Sequence, residues 1–187
     1  MRVLVTCGAG FIGSHFAKRL RAAGDEVIVL DKLTYSGNRA NVEGADVEFV
    51  EGDIADHDAV AAAAAGCDAI VNFAAESHVD RSILGATEFI ETDVLGTYVL
   101  LDWVREHGTR FVQVSTDEVY GDVPPGVSSR EDDQLRPSSA FVTKSGMIFS
   151  GYWFGPYVFE PRVIVASTPY VRTYASTWRS PPAFEAE

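Results

Sequence analysis

Apolar residues in the first two thirds of the chain follow two alternating patterns. Short runs rich in Val, Ile and Phe occupy Val3 to Thr6, Glu26 to Asp31, Val47 to Glu51, Ala69 to Phe73 and Arg110 to Ser115. Unbroken apolar runs of that length belong to strands covered on both faces. Between them the pattern takes a helical period over Phe11 to Ala23, Asp56 to Ala65 and Ala86 to His107, with Gly24, Gly66 and Gly108 near the ends. Glycine is the residue that closes helices in the left-handed conformation. Strand, helix, strand repeated in this way implies right-handed crossovers and a doubly wound α/β fold around a parallel sheet. The AAAAA run at 61–65 reads as a bland helix, since alanine has the highest helix propensity. No internal repeat is evident.

The pattern changes after Ser145. GMIFSGYWFGPYVFEPRVIVAS is aromatic-rich but interrupted by Gly151, Gly155 and Pro156, and a helix interior loses about 1 kcal/mol per glycine and about 3 per proline. Arg162 to Ser167 fits a sixth strand, and the C-terminal residues beyond it show neither period and are expected to fray. The expected organisation is one domain over residues 1–145 and a degenerate segment over 146–187.

Bulk properties narrow the classes. The chain has 187 residues, of which 47% are hydrophobic and 22% charged, enough for one domain with a real core. No apolar run is long enough to span a bilayer, and the opening MRVLVTCGAG leads into glycines instead of a signal-peptide cleavage site. The expectation is a cytoplasmic protein that does not bind membranes. A formal charge of −12 repels polyphosphate backbones and argues against a nucleic-acid partner. Cys7 and Cys67 lack metal-ligand spacing, so reduced thiols and no metal site are expected.

Candidate chemistry begins at TCGAGFIGSH, between the first strand and first helix. A glycine at this turn allows φ > 0, Gly10 lets a pyrophosphate approach the backbone, and Gly13 lets helix and strand pack closely. The helix N-terminus then offers its amides and partial positive charge to phosphate. Asp31 closes the second strand, where a carboxylate accepts from the adenosine ribose hydroxyls and repels a 2′-phosphate, favouring NAD over NADP. The competing reading is a structural glycine turn and a solvated aspartate.

The segments GAGFIGSH, LDKLTYSGN, EGDIAD, NFAAESHVDRS, DVLGT and VQVSTDEVYG extend the case. From Met1 to about Arg136 the chain resembles the extended short-chain dehydrogenase/reductases, and within them the dTDP-glucose 4,6-dehydratases. The resemblance implies NAD contacts at Gly8, Gly10, Phe11, Ile12, Gly13, Asp31, Lys32, Asp53, Ile54 and Ala74, and sugar-nucleotide contacts at Ser77, His78 and Thr116. Arg81 is a further candidate, although ESHVDRS also reads as charged surface, and Asp53 also reads as a helix N-cap. His15 is expected to pack, not to catalyse. Such an enzyme oxidises C4 of the hexose so that the C5 proton becomes acidic, eliminates water across C5 and C6, and returns the hydride to C6. By resemblance Asp117 is the acid for the departing hydroxyl, Glu118 the C5 base, and Thr116 a donor polarising the C4 oxygen. Neighbouring carboxyls suit such a division, since each ionisation disfavours the other. They reach one pocket only if the strand has already ended, because neighbours on a strand point to opposite faces. Without the family motifs, the same run reads as a solvated loop or cap.

PSSAFVTKSG departs from the resemblance. The family's base for the 4-hydroxyl is a tyrosine four residues before a lysine that binds the nicotinamide ribose. Lys144 matches that lysine, whereas the tyrosine position is Ala140, next to Phe141. Tyr120 belongs to the matched DEVYG motif and is no evident substitute. An exposed helix lysine is the alternative for Lys144. Cys7 stands at the first glycine of the family's GxxGxxG, and Asp93 where asparagine is usual. The family's C-terminal substrate domain has no counterpart, so a truncated or frame-altered form, inactive as a dehydratase, is expected. Two alternatives stay open: a non-catalytic NAD-binding or partner-binding module, and another nucleotide-sugar enzyme such as an epimerase. Relatives pair through the helices matching Ala86 to His107 and the one beginning near Ser138. With the second broken, a weakened homodimer or aggregation-prone monomer is expected. The 187-residue chain should therefore yield no 4-keto-6-deoxy product from dTDP-glucose. Ala140→Tyr alone should not restore it, since the lost base, worth about 10²–10⁴-fold, is one deficit and the groups expected to hold the sugar are another. Turnover by the unmodified chain would show that another group serves as base.

Overall fold

The computed structural model describes residues 1–76, 86–115, 117–130, 133–134, 159–160 and 177–178. Strands β1 (Arg2–Thr6), β2 (Glu26–Asp31), β3 (Glu48–Glu51), β4 (Ala69–Asn72) and β5 (Arg110–Gln113) alternate with helices α1 (Phe11–Ala22) and α2 (His57–Ala64) and with a long helical stretch before β5. That stretch comprises α3 (Ala86–Phe89), a π-helical segment (Ile90–Gly96) and α4 (Thr97–His107), running on without a break. The sheet order is β3-β2-β1-β4-β5-β7-β6, in which β6 (Phe159–Glu160) and β7 (Thr177–Trp178) are two-residue strands. The first five strands pair in parallel, while β7 joins β5 antiparallel at Val112↔Thr177. The strand expected over Arg162 to Ser167 lies outside the described residues.

Strand periodicity builds two cores from one sequence pattern. Leu4, Ile28, Leu30, Ile70 and Phe111 face α2 and α4, burying Val60, Ala63, Leu100 and Val104. Their neighbours Val3, Val5, Val27, Val29 and Val71 face the other way, with Ala17 of α1. Neither face of the central strands is left to solvent, which is why β1, β2 and β4 show apolar runs with no polar alternation.

Helix ends follow local chemistry. Asp56 caps α2, accepting from the amides of Asp58 at 2.9 Å and Ala59 at 3.4 Å. Gly108 closes α4 at φ 67°, donating its N–H to the Val104 carbonyl, with Arg105 and His107 in the last turn to complement the helix dipole. Gly24 and Gly66 likewise have positive φ after α1 and α2. The expected single helix over Ala86 to His107 differs in its middle, where the π-helical segment buries Thr92, Asp93 and Gly96 together. A Cβ on Gly96 would lie 2.5 Å from Ile54 Cδ1, so the segment approaches the β3–α2 loop as closely as a residue without a side chain permits.

Order along the sheet locates the site. β1 pairs with β2 on one side and β4 on the other, so the connections leaving β1 and β4 diverge at the carboxyl edge and leave a crevice. Among the described residues, no helix is long and apolar enough to cross a membrane.

Candidate functional site

The crevice is an open cleft lined from four loops, those after β1, β2, β3 and β4, and by Thr92 of the π-helical segment. At its floor β1 gives way to the glycine turn. The turn's positive φ belongs to Cys7, at 51°, and not to Gly8, so the residue that stands at the first glycine of the family's GxxGxxG is the one held in the left-handed conformation. Gly8 is required for a different reason: its Cβ would lie 2.7 Å from Val29 Cγ1 on β2. At Gly13 a Cβ would meet the Cys7 carbonyl oxygen at 2.3 Å, as expected for close helix–strand packing. At Gly10 the nearest atom to an added Cβ is Cys7 Sγ, at 3.1 Å. The thiol therefore occupies space that glycine at position 7 would leave empty.

Gly10 caps α1 through its backbone only, and among the described residues no side chain is bonded to the amides of the first turn. Phe11 and Ile12, at the start of that turn, are 79% and 59% exposed. These exposed apolar side chains flank a helix N-terminus whose amides are available to an anion. His15, also exposed, is occupied by the Phe11 carbonyl at 2.8 Å and by the Phe11 ring.

Asp31 is buried. One carboxylate oxygen accepts the Ala9 N–H at 2.9 Å and the other the Leu33 N–H at 2.8 Å. Each carboxylate oxygen has room for a second donor, so these bonds hold the group in place without exhausting it. The loop after β2 wraps closely enough that a Cβ on Gly37 would sit 2.6 Å from Asp31 Oδ1.

Lys32 reaches across the cleft. Its Nζ donates to Thr92 Oγ1 at 2.9 Å and lies 3.4 Å from Asp53 Oδ2. Asp53 is not the cap of α2, a role Asp56 fills; its Oδ1 accepts the Ala55 N–H at 3.0 Å in a local turn. Ile54 is buried in the α2–α4 core and shows one edge to the cleft. Ala74 is buried on the opposite wall, its N–H shared between Thr6 Oγ1 and Asn72 Oδ1.

Sequence reasoning did not single out several of these groups. Thr6, Asn72 and Gln113 close the three central strands in paired register and form a wholly buried polar chain. Thr6 Oγ1 bonds Asn72 Oδ1, and Asn72 Nδ2 donates to Gln113 Oε1 at 2.8 Å. The available signal was a polar residue ending each of the apolar runs VLVT, AIVN and FVQ. Thr92, Tyr35 and Glu76 were also missed; the Tyr35 hydroxyl donates to Glu76 at 3.2 Å, and the Glu76 N–H donates to buried Asp93.

The remaining candidates are less fully placed. Asp117–Tyr120 forms a 3-10 turn beyond the end of β5, which meets the condition that the strand end before Asp117 and Glu118. Ser77, His78, Arg81, Thr116, Ala140 and Lys144 lie outside the described residues. Cys7 and Cys67 are not joined in a disulfide; Cys67 precedes β4, at the edge away from the cleft, and burial pushes its thiol pKa up against the opposing effect of Arg2. Among the described residues, no group of three His, Cys, Asp or Glu side chains is placed to hold a metal ion.

A family model, NAD dependent epimerase/dehydratase, matches residues 3–145. The chain belongs to that family. It is 51% identical over 153 residues to the low-salt glycan biosynthesis protein Agl12 of Haloferax volcanii, covering 78% of this chain and 49% of the relative. It is 42% identical over 200 residues to a dTDP-glucose 4,6-dehydratase of Streptomyces niveus, covering 91% and 59%. Among solved structures of the epimerase/dehydratase family, it superposes on DesIV, the dTDP-glucose 4,6-dehydratase of Streptomyces venezuelae with NAD and TYD bound, at TM-score 0.72 and 53% identity. That match covers 78% of this chain and 49% of DesIV. A Thermus thermophilus UDP-glucose 4-epimerase in complex with NAD matches at TM-score 0.71 and 35% identity, over 79% and 48%. The chain spans about half the length of the curated relatives it matches.

The left-handed Cys7 generates a prediction. That conformation costs a residue with a Cβ roughly 1–2 kcal/mol, while glycine's freer unfolded chain returns about 0.4–1. Cys7→Gly should thus raise unfolding stability by about 0.5–1 kcal/mol, read from the urea midpoint at unchanged slope. An unchanged or lower midpoint would show that thiol packing offsets the strain.

Proposed function

We propose that the cleft binds NAD and that the chain carries the cofactor-binding part of a nucleotide-sugar 4,6-dehydratase acting on dTDP-glucose. The observation that carries this is the convergence, at one sheet edge, of the uncapped α1 N-terminus behind a tight glycine turn with the anchored Asp31 carboxylate. The first suits a pyrophosphate and the second a ribose diol. The NAD-bound family structures and the identity to dTDP-glucose 4,6-dehydratases support the same reading.

In this reading Gly8, Gly10 and Gly13 keep the turn tight enough for the amides at Phe11 and Ile12 to meet the pyrophosphate, and Asp31 takes the adenosine ribose. Lys32, Asp53 and Ile54 form the adenine-side wall, with Ala74 facing them. Bound NAD supplies a hydride acceptor. The chain's own contribution to the chemistry is proton handling at the end of β5, where Asp117 protonates the departing 6-hydroxyl, Glu118 removes the C5 proton and Thr116 bonds the C4 oxygen. Ser77 and His78 hold the sugar nucleotide, and Lys144 the nicotinamide ribose. The position of Asp117–Tyr120 past β5, on the cleft's edge of the sheet, supports this assignment. The Asp117–Glu118 pair favours dehydration over epimerisation, which needs no acid for a departing 6-hydroxyl. Ala140 leaves the deprotonation of the 4-hydroxyl without its phenol.

Calorimetric titration of the chain with NAD and NADP tests the cleft directly. NAD should bind more tightly, because a 2′-phosphate would be brought against the Asp31 carboxylate. Equal or tighter binding of NADP would overturn the role given to Asp31.

A further inference from the structure

Rejection of a 2′-phosphate is ordinarily read from one acidic residue at the end of β2. Here the next residue complicates that reading, because Lys32 is a cation in the very place where a 2′-phosphate would need one. Among the described residues lining the cleft, Lys32 is the one cation, against the carboxylates of Asp31, Asp53 and Glu76. Left free, its flexible ammonium would swing toward the phosphate and undo much of the repulsion from Asp31. It is not free: Thr92 accepts from its Nζ at 2.9 Å and Asp53 neutralises it at 3.4 Å. These anchors come from separate elements, the π-helical segment and the loop after β3.

We propose that Asp53 and Thr92 are cofactor-specificity residues, which clamp Lys32 away from the ribose 2′ position so that the cleft offers a 2′-phosphate repulsion from Asp31 and no compensating cation. This rests on the NAD reading of the cleft and adds a second layer to it. The clamp is half-exposed, with Lys32 and Asp53 side chains 33% and 39% accessible, and an ion pair at such exposure contributes little to stability. Specificity is therefore the better account of why the lysine is held. The clamp also makes a prediction that Asp31 alone does not: removing Asp31 should abolish the repulsion without creating a preference for NADP, because the cation remains tied up.

The quantity to measure is the ratio of dissociation constants for NADP and NAD, by calorimetry at low salt, in the full 187-residue chain. The ratio cancels losses common to both dinucleotides. The series is wild type, Asp31→Asn, Asp31→Asn with Asp53→Asn, Asp31→Asn with Thr92→Val, and the first double variant with Lys32→Met added. Melting curves check folding, and the Thr92→Val arm tests the clamp without touching a second carboxylate. Each double variant should shift the ratio toward NADP relative to Asp31→Asn by roughly ten- to a hundredfold, the range of one charge-assisted hydrogen bond. Lys32→Met should reverse the shift, and added salt should shrink it. If both double variants keep the ratio of Asp31→Asn, or if the shift survives Lys32→Met, the clamp is overturned while the NAD reading stands. If the wild type binds neither dinucleotide, the reading of the cleft falls and the clamp with it.

Discussion

The backbone of Ala9 is the point on which the site depends. Ala9 is fully buried in the turn after β1, so its N–H and C=O both need partners inside the protein. Asp31 at the end of β2 accepts the N–H at 2.9 Å, and the C=O accepts from Asn38 N at 3.0 Å and Asn41 Nδ2 at 2.8 Å. A turn from one strand is thus clasped by the end of the next strand and by the loop that follows it. Leaving such a buried donor unpaired costs about 1–3 kcal/mol, which selects a short polar acceptor at position 31 before any ligand is considered. With the turn so held, the remaining steric demands follow: Gly8 against Val29, Gly13 against the Cys7 carbonyl, and Gly37 against the Asp31 carboxylate.

A second constraint fixes the opposite wall. Thr6, Asn72 and Gln113 are each wholly buried, so their polar groups must satisfy one another and the backbone around them. Gln113 donates to the Val114 carbonyl at 2.9 Å, while Thr6 accepts from the amides of Phe73 and Ala74. The exit from β4 is thereby tied to the end of β1, and the loop continues to Glu76, whose N–H is taken by Asp93 of the π-helical segment. The two walls meet through Lys32, on the β2 side, and Thr92, on the π-helical side. Cofactor preference in this account is thus a property of how the walls are coupled as well as of one carboxylate.

Most of the architecture was legible because period and burial coincide. Strands covered on both faces lose their polar alternation, and the runs at β1, β2 and β4 showed it; the expected ends of α1 and α2 fell within a residue of those observed because Asp56, Gly24 and Gly66 act locally. The glycine turn was legible as a motif but not in its details. The positive φ falls at Cys7, where the family's pattern has its first glycine, whereas the steric demand on Gly8 comes from Val29, a residue on another strand, and no local pattern reports that. Asp53 was open between capping and cofactor roles for the same reason, since Asp56 three positions later is an equally good cap by type. Thr92 looked like an ordinary helix position and Asp93 stood out only as a departure from asparagine; both are buried with Gly96 in the π-helical segment. The strand expected at Arg162 to Ser167, and the segment carrying Ala140 and Lys144, rest on sequence alone.

Amide hydrogen exchange at Ala9 and Leu33 is the most direct test of the account, measured without any dinucleotide in the wild type and in Asp31→Ala. If the Asp31 carboxylate preorganises the turn, both amides are strongly protected in the ligand-free wild type, and both lose protection in the variant while Leu4 in β1 keeps its own. Exchange of the wild-type Ala9 amide at the rate of an unstructured peptide, slowing only when NAD is added, would show that the cofactor builds the turn and would contradict the account.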